Sequence, residues 1–132
     1  MTRFYGDSKY HNKKVEYKGI LFDSVKERNY YMYLEGLLQA GEITDLELQV
    51  KYELQPRFTA VNGKVIRPIT YIADFVYKDK DGKTVIVDVK GFRTDVYRLK
   101  KKMMLYKGYD IVEVWKIKIM GCLCGEKYKR VM

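Results

Sequence analysis

Thr70-Tyr71-Ile72-Ala73-Asp74-Phe75-Val76-Tyr77 and, after a polar turn, Thr84-Val85-Ile86-Val87-Asp88-Val89-Lys90-Gly91 read as the two strands of a hairpin. A loop of Lys80-Asp81-Gly82 puts Gly82 at the left-handed position of a three-residue turn, where glycine has no Cβ to clash. Asp79 then pairs with Lys83, and the same ladder sets Asp74 opposite Asp88 and Ile72 opposite Lys90. Side chains alternate between faces, so Ile72, Asp74, Val76, Ile86, Asp88 and Lys90 are expected on one. Tyr71, Ala73, Phe75, Tyr77, Val85, Val87 and Val89 are expected on the other, which is uniformly core-like. A slip of one residue would part the two aspartates.

In that register two carboxylates lie about 5 Å apart across the strands, a like-charge pair that destabilises a sheet. A divalent cation between them removes the conflict. Mg²⁺ favours one or two carboxylates and keeps several waters for exchange. Lys90, two residues beyond Asp88 on the same face, is within reach of a phosphate. In phosphodiester hydrolysis a metal acidifies water and clamps phosphate oxygens, while a lysine steadies the developing charge. The ordinary alternative is a solvated Asp/Lys pair on an edge hairpin. Ile72, Val76 and Ile86 beside it argue against a solvated face.

Other elements follow from spacing. Gly19 to Phe22 lead into Asp23-Ser24, which starts a helix whose apolar periodicity runs to Ala40 and closes at Gly41. Leu46 to Leu54 alternates as a strand ending at Pro56. Val61-Asn62-Gly63-Lys64 marks a hairpin tip. A helix is expected from about Thr94 to Tyr106, then a strand over Tyr109 to Ile119. The order α-β-β-β-α-β predicts an α/β (α+β) fold, a central mixed sheet flanked by helices.

The chain has 132 residues, enough for one domain with a proper core. Residues 1–18 are expected as a basic N-terminal arm and 120–132 as a basic C-terminal tail. No apolar run approaches the roughly 18 residues of a membrane span, and the first residues lack an apolar signal core, so no membrane partner is expected. Cys122 and Cys124 are too close together for a disulfide framework, which suits a reducing cytoplasm. A lone Cys-x-Cys is a weak zinc signal, and free thiols are expected. The net charge of +9 points to a polyanion. Basic residues gather at Lys9 to Lys18, Arg93 to Lys107 and Lys127 to Arg130. The end segments, Lys13 and Lys14 among them, read as phosphate-contacting arms or as solvated tails.

The first helix adds a carboxylate. At 100° per residue Glu27 shares a stripe with Tyr31, Leu34 and Leu38. A glutamate there must be paired, capping or bound to something. Ser24-x-x-Glu27 is a capping box, with the glutamate bonding back to the Ser24 backbone. A place in or beside a metal site is the other reading. Glu35 is expected as a solvated flank residue. In the second helix Thr94 is a plausible N-cap, and Arg93, Arg98, Lys100, Lys101 and Lys102 are candidates to grip flanking phosphates.

As a set, these pieces resemble the PD-(D/E)XK nuclease superfamily, in a phage-encoded branch related to small Holliday-junction resolvases and recombination endonucleases. The matching residues are Gly19 to Ser24 with Glu27, Tyr30 and Leu34; Ile43 and Leu46 to Gln49; Tyr71 to Phe75; Asp88 to Gly91; and Thr94, Tyr97 and Lys100. Ala73 stands where the family name has proline. The resemblance implies a restriction-endonuclease-like core and a Mg²⁺- or Mn²⁺-dependent endodeoxyribonuclease acting on branched DNA in the bacterial host cytoplasm. It makes Asp74 and Asp88 metal ligands, Lys90 the catalytic lysine and Glu27 the carboxylate that completes the site. Gln49 becomes a substrate or water contact, with Thr94, Tyr97, Arg98 and Lys100 to Lys102 near the nucleic acid. Symmetric junction cleavage would require a homodimer. A nicking or degradative nuclease without junction preference, and a DNA-binding module with a decayed site, are the alternatives.

Overall fold

The computed structural model describes residues 13–117 and 127–131. Its central hairpin has the expected register. Strand β6 (Ile69–Lys78) pairs antiparallel with β7 (Thr84–Val89) through Phe75 with Val87 and Lys78 with Thr84. One step on from the last ladder pair, Asp74 stands opposite Asp88. The turn is as read: the Asp79 N–H donates to the Lys83 carbonyl at 2.9 Å and Gly82 has φ 78°. The Asp79 carboxylate also accepts from the N–H groups of Asp81 and Lys83, pinning the loop.

Around the hairpin lies a five-stranded sheet in the order β3-β6-β7-β8-β9, with β3 (Thr44–Gln55), β8 (Ile111–Ile117) and β9 (Lys127–Val131). Only β7 and β8 run parallel, because helix α2 (Asp95–Tyr106) carries the chain back between them. Helix α1 (Val25–Gln39) covers the other face. Tyr30 and Leu34 of α1 pack with Phe75, Tyr77, Val85, Val87, Val112 and Val114. Tyr97 and Met104 of α2 pack with Val76, Ile86 and Ile111. The fold is thus mixed α+β, a mixed sheet between two helices.

Alternation fails at one place. Leu46 and Leu48 of β3, with Phe75 and Tyr77 of β6, pack on the α1 side. Val50, Tyr52 and Leu54, with Tyr71 and Ala73, pack on the α2 side. Both strands therefore turn over between these groups, at Gln49 and Asp74, which oppose each other in the register. Gln49 takes a left-handed φ of 53°, costly for a non-glycine residue. This corrects the expectation that Tyr71 and Ala73 share a face with Phe75 and Tyr77. Ile72, expected beside Asp74, is exposed.

The sequence reading missed several strands. β1 (Val15–Tyr17) and β2 (Ile20–Phe22) form a hairpin through Lys18 and Gly19, both at positive φ. Phe22 is buried in the α1-side core, and Tyr17 and Ile20 pack against it. Part of the expected N-terminal arm is therefore strand. β9 likewise lies within the expected basic tail. A short hairpin of β4 (Phe58–Thr59) and β5 (Val65–Ile66) surrounds the expected tip, with Gly63 at φ 82°. Helix α1 buries Tyr30 and Leu34, while Leu38 is exposed. Residues 1–12 of the arm and the Cys122 and Cys124 thiols lie outside the described residues.

Candidate functional site

Asp74 and Asp88 meet one step beyond the last pair of the β6–β7 ladder, where these two strands part from each other. Asp88 is 5% exposed and Asp74 is half-buried. The two carboxyl groups are within hydrogen-bonding reach of each other, and Asp74 Oδ2 also accepts from the Val89 N–H at 2.9 Å. That bond forms where the hairpin ladder ends, so a side chain takes the place of the next backbone partner. Burial and then the Asp88 and Glu27 charges push Asp74 well above the ordinary carboxylate range.

Asp88 is held from two sides. The Tyr71 hydroxyl donates to its Oδ2 at 2.7 Å, and Lys90 Nζ stands 3.1 Å from its Oδ1. The turnover at Gln49 and Asp74 is what brings Tyr71 round to the Asp88 side. Burial and the Asp88 charge raise the tyrosine far above its usual range, so it stays a donor. Lys90 Nζ also lies 3.5 Å from the centroid of the Tyr97 ring, a cation–π contact that fixes its position.

Glu27 reaches this corner from the first turn of α1. Ser24 caps the helix, its hydroxyl accepting from the Glu27 N–H at 3.2 Å. The backbone N–H of Asp23 favours the charged Glu27 carboxylate, whereas a capping box would use the N–H of Ser24. Glu27 is still close enough to Asp88 and Lys90 to feel both charges. Burial, then Asp23 and Asp88, push it to about 7, against the Asp23 N–H and Lys90. Ser24 thus caps α1 as expected, while Glu27 stands near Asp88 and Lys90 instead of closing the box on the Ser24 N–H.

Glu113 is the residue that sequence reading missed. It lies beside Asp88 in the parallel ladder and is 0% exposed. Arg93 binds its Oε2 through Nη2 at 2.6 Å and Nε at 2.8 Å, and Lys101 and the Tyr97 hydroxyl bind Oε1. Burial alone would raise this carboxyl, but the Arg93 and Lys101 hydrogen bonds hold it down at about 2. A charge inside the run Ile111-Val112-Glu113-Val114 is the same signal that picked out Asp88, and it could have found Glu113.

The residues expected near a nucleic acid divide. Tyr97 is buried, and Lys101 is committed to Glu113, so neither presents a free surface group. Thr94 caps α2, accepting from the Tyr97 N–H at 3.0 Å. Arg98 pairs loosely with Asp95 at 3.5 Å and is exposed, as are Lys102, Lys13 and Lys14; Lys100 is half-buried. Gln49 lies opposite Asp74. Glu35, expected as solvated, pairs with Lys18 at 3.1 Å.

Among the described residues, no group of three or more His, Cys, Asp and Glu side chains converges closely enough to form a ready-built metal centre. The donors nonetheless suit a hard cation. Two carboxylates in contact repel unless a proton or a cation lies between them, and Mg²⁺ uses one or two carboxylates while keeping its waters.

The fold and this corner define a mixed α+β protein with a carboxyl pair, one member buried and the other half-buried, and a pinned lysine where β6 and β7 part. By its sequence the chain belongs to DUF1064, a family described as a protein of unknown function, whose model matches residues 7–123. No curated protein and no solved structure matches it. Among the described residues no helix is long and apolar enough to cross a membrane.

Proposed function

We propose that this protein is a metal-dependent DNA endonuclease of the PD-(D/E)XK kind, with a restriction-endonuclease-like core. One observation carries the reading: Asp74 and Asp88 bring two carboxyl groups together beside Lys90, and like charges so placed are unfavourable without a proton or cation between them. The parallel β7–α2–β8 unit with a helix on each face is consistent with such a core.

Mg²⁺ or Mn²⁺ would be held by Asp74 and Asp88, with Glu27 beside them. When bound it would acidify water and neutralise charge on the phosphate oxygens. Tyr71 and the Val89 N–H hold the two carboxylates in place. Lys90, braced by Tyr97, has its side-chain nitrogen placed where five-coordinate phosphorus would gain negative charge. Glu27, titrating about 7, can hold or release a proton at working pH. The net charge of +9 suits DNA. Branched DNA is the favoured substrate, and symmetric cutting of a junction would use two copies of the chain.

Asp88→Ala should abolish metal-dependent cutting of labelled DNA while leaving binding largely intact. Undiminished cutting by that variant would sink the assignment. Four-way junction and linear duplex, compared at equal concentration with Mg²⁺, Mn²⁺ and chelator, separate a junction enzyme from a structure-blind nuclease.

A further inference from the structure

The β3–β6 ladder does not stop at the sheet. The β3–β6 register shifts between Glu53 and Gln55, and from the Gln55–Ile69 pair onward one register carries into the short hairpin, which pairs Phe58 with Ile66 and Thr59 with Val65. In that register Pro56 faces Pro68 and Arg57 faces Arg67. The prolines lack N–H donors and so interrupt the ladder without shifting it. What lies beyond them is a two-stranded arm continuous with the strand that carries Asp74.

The arm leaves from the same end of the β6–β7 hairpin as the site, since β7 ends at Val89, level with Ala73, and β6 begins four residues beyond that at Ile69. Twelve residues separate Asp74 from Asn62 at the tip. At about 3.3 Å per residue the arm reaches at most about 40 Å, slightly more than one turn of duplex.

Residues 57–59 and 61–68 are all exposed, and Val61, Phe58 and Val65 are exposed apolar side chains. No acidic residue occurs between Glu53 and Asp74, whereas Arg57, Lys64 and Arg67 do. Among the described residues none of these three cations is ion-paired. Like charges facing each other across strands destabilise a ribbon unless an anion lies over them.

We propose that the 56–68 arm is a duplex-DNA grip. It lies along the groove flanking the scissile phosphodiester, with Arg57, Lys64 and Arg67 on phosphates and the apolar tip against base edges. The major groove, about 12 Å wide, admits a two-stranded ribbon. This assignment rests on the nuclease reading for the place of cutting, but not for binding itself.

The test is the triple variant Arg57→Ala/Lys64→Ala/Arg67→Ala beside wild type, with fluorescein-labelled duplex DNA titrated at several salt concentrations. The slope of log K against log salt should fall by about three, roughly one per lost phosphate contact. A second variant, Arg57→Lys/Arg67→Lys, should restore it. Unchanged melting temperature is expected, since the altered side chains are exposed. An unaltered salt slope in the triple variant overturns the arm, even if the DNA is still cut. Wild type that binds with the full slope but does not cut overturns the nuclease reading and leaves the arm standing. Wild type that ignores DNA and takes up anionic vesicles instead overturns both.

Discussion

At the scale of single residues, the site is defined by how each charge is balanced. Asp74 has a pKa raised above its unfolded value, and Glu27 shares that direction. A carboxyl raised in this way binds its proton more tightly folded than unfolded. Its contribution to stability is therefore full below about pH 4 and is lost as pH rises through the folded pKa. In chelator the protein should melt at progressively lower temperature from pH 5 to pH 9. Asp74→Asn should flatten that slope and raise the melting temperature at pH 8 by on the order of 5 °C. A flat wild-type profile would mean that the pair carries no strain. Glu113 behaves oppositely, because Arg93 and Lys101 stabilise its charge. Glu113→Ala strands two partly exposed cations and should lower stability by about 2 kcal/mol, less than a fully buried pair would cost. Urea denaturation measures it, and an unchanged midpoint would contradict the role.

At the scale of elements, legibility followed how local the cause was. The β6–β7 turn was readable because Gly82 supplies a left-handed residue where a three-residue loop needs one. Helix ends were readable because Ser24 and Thr94 each accept a bond from the third residue on. Ser24→Ala and Thr94→Ala should each cost about 1 kcal/mol in thermal or urea melts. Thr94→Ala should keep its DNA affinity if the residue only caps the helix, and a loss of affinity would make it a contact as well. The β1–β2 hairpin escaped notice because its strands are short and its turn is Lys18-Gly19, without the usual asparagine or aspartate. The turnover at Gln49 and Asp74 was illegible for a different reason. It is fixed by which helix each half of the ladder packs against, and a simple alternation rule has no term for that. Asp74, Asp88 and Lys90 could be brought together from spacing and Glu27 joined them through the family resemblance, whereas Tyr71 as a partner of Asp88 could not be foreseen.

At the scale of the whole molecule, two electrostatic features oppose each other. The chain carries +9 overall, yet Glu27, Asp74 and Asp88 gather at one corner. A surface of that sign draws in a polyanion, and an acidic corner beneath it would repel the same polyanion. A divalent cation bound there would reconcile the two by neutralising the corner. Metal binding should then appear as stability of the entire fold, because a ligand bound only by the native state raises the unfolding free energy. At a hundredfold excess over its Kd that gain is about 2.7 kcal/mol. Protons compete for the same carboxylates, so the rise in melting temperature on adding Mg²⁺ or Mn²⁺ should be larger at pH 8 than at pH 5. Removal of the ion with chelator should reverse it. Asp74→Asn/Asp88→Asn should melt at one temperature with or without the ion. A metal-induced shift of equal size in the double variant would place the ion elsewhere and leave the acidic corner without its counter-charge.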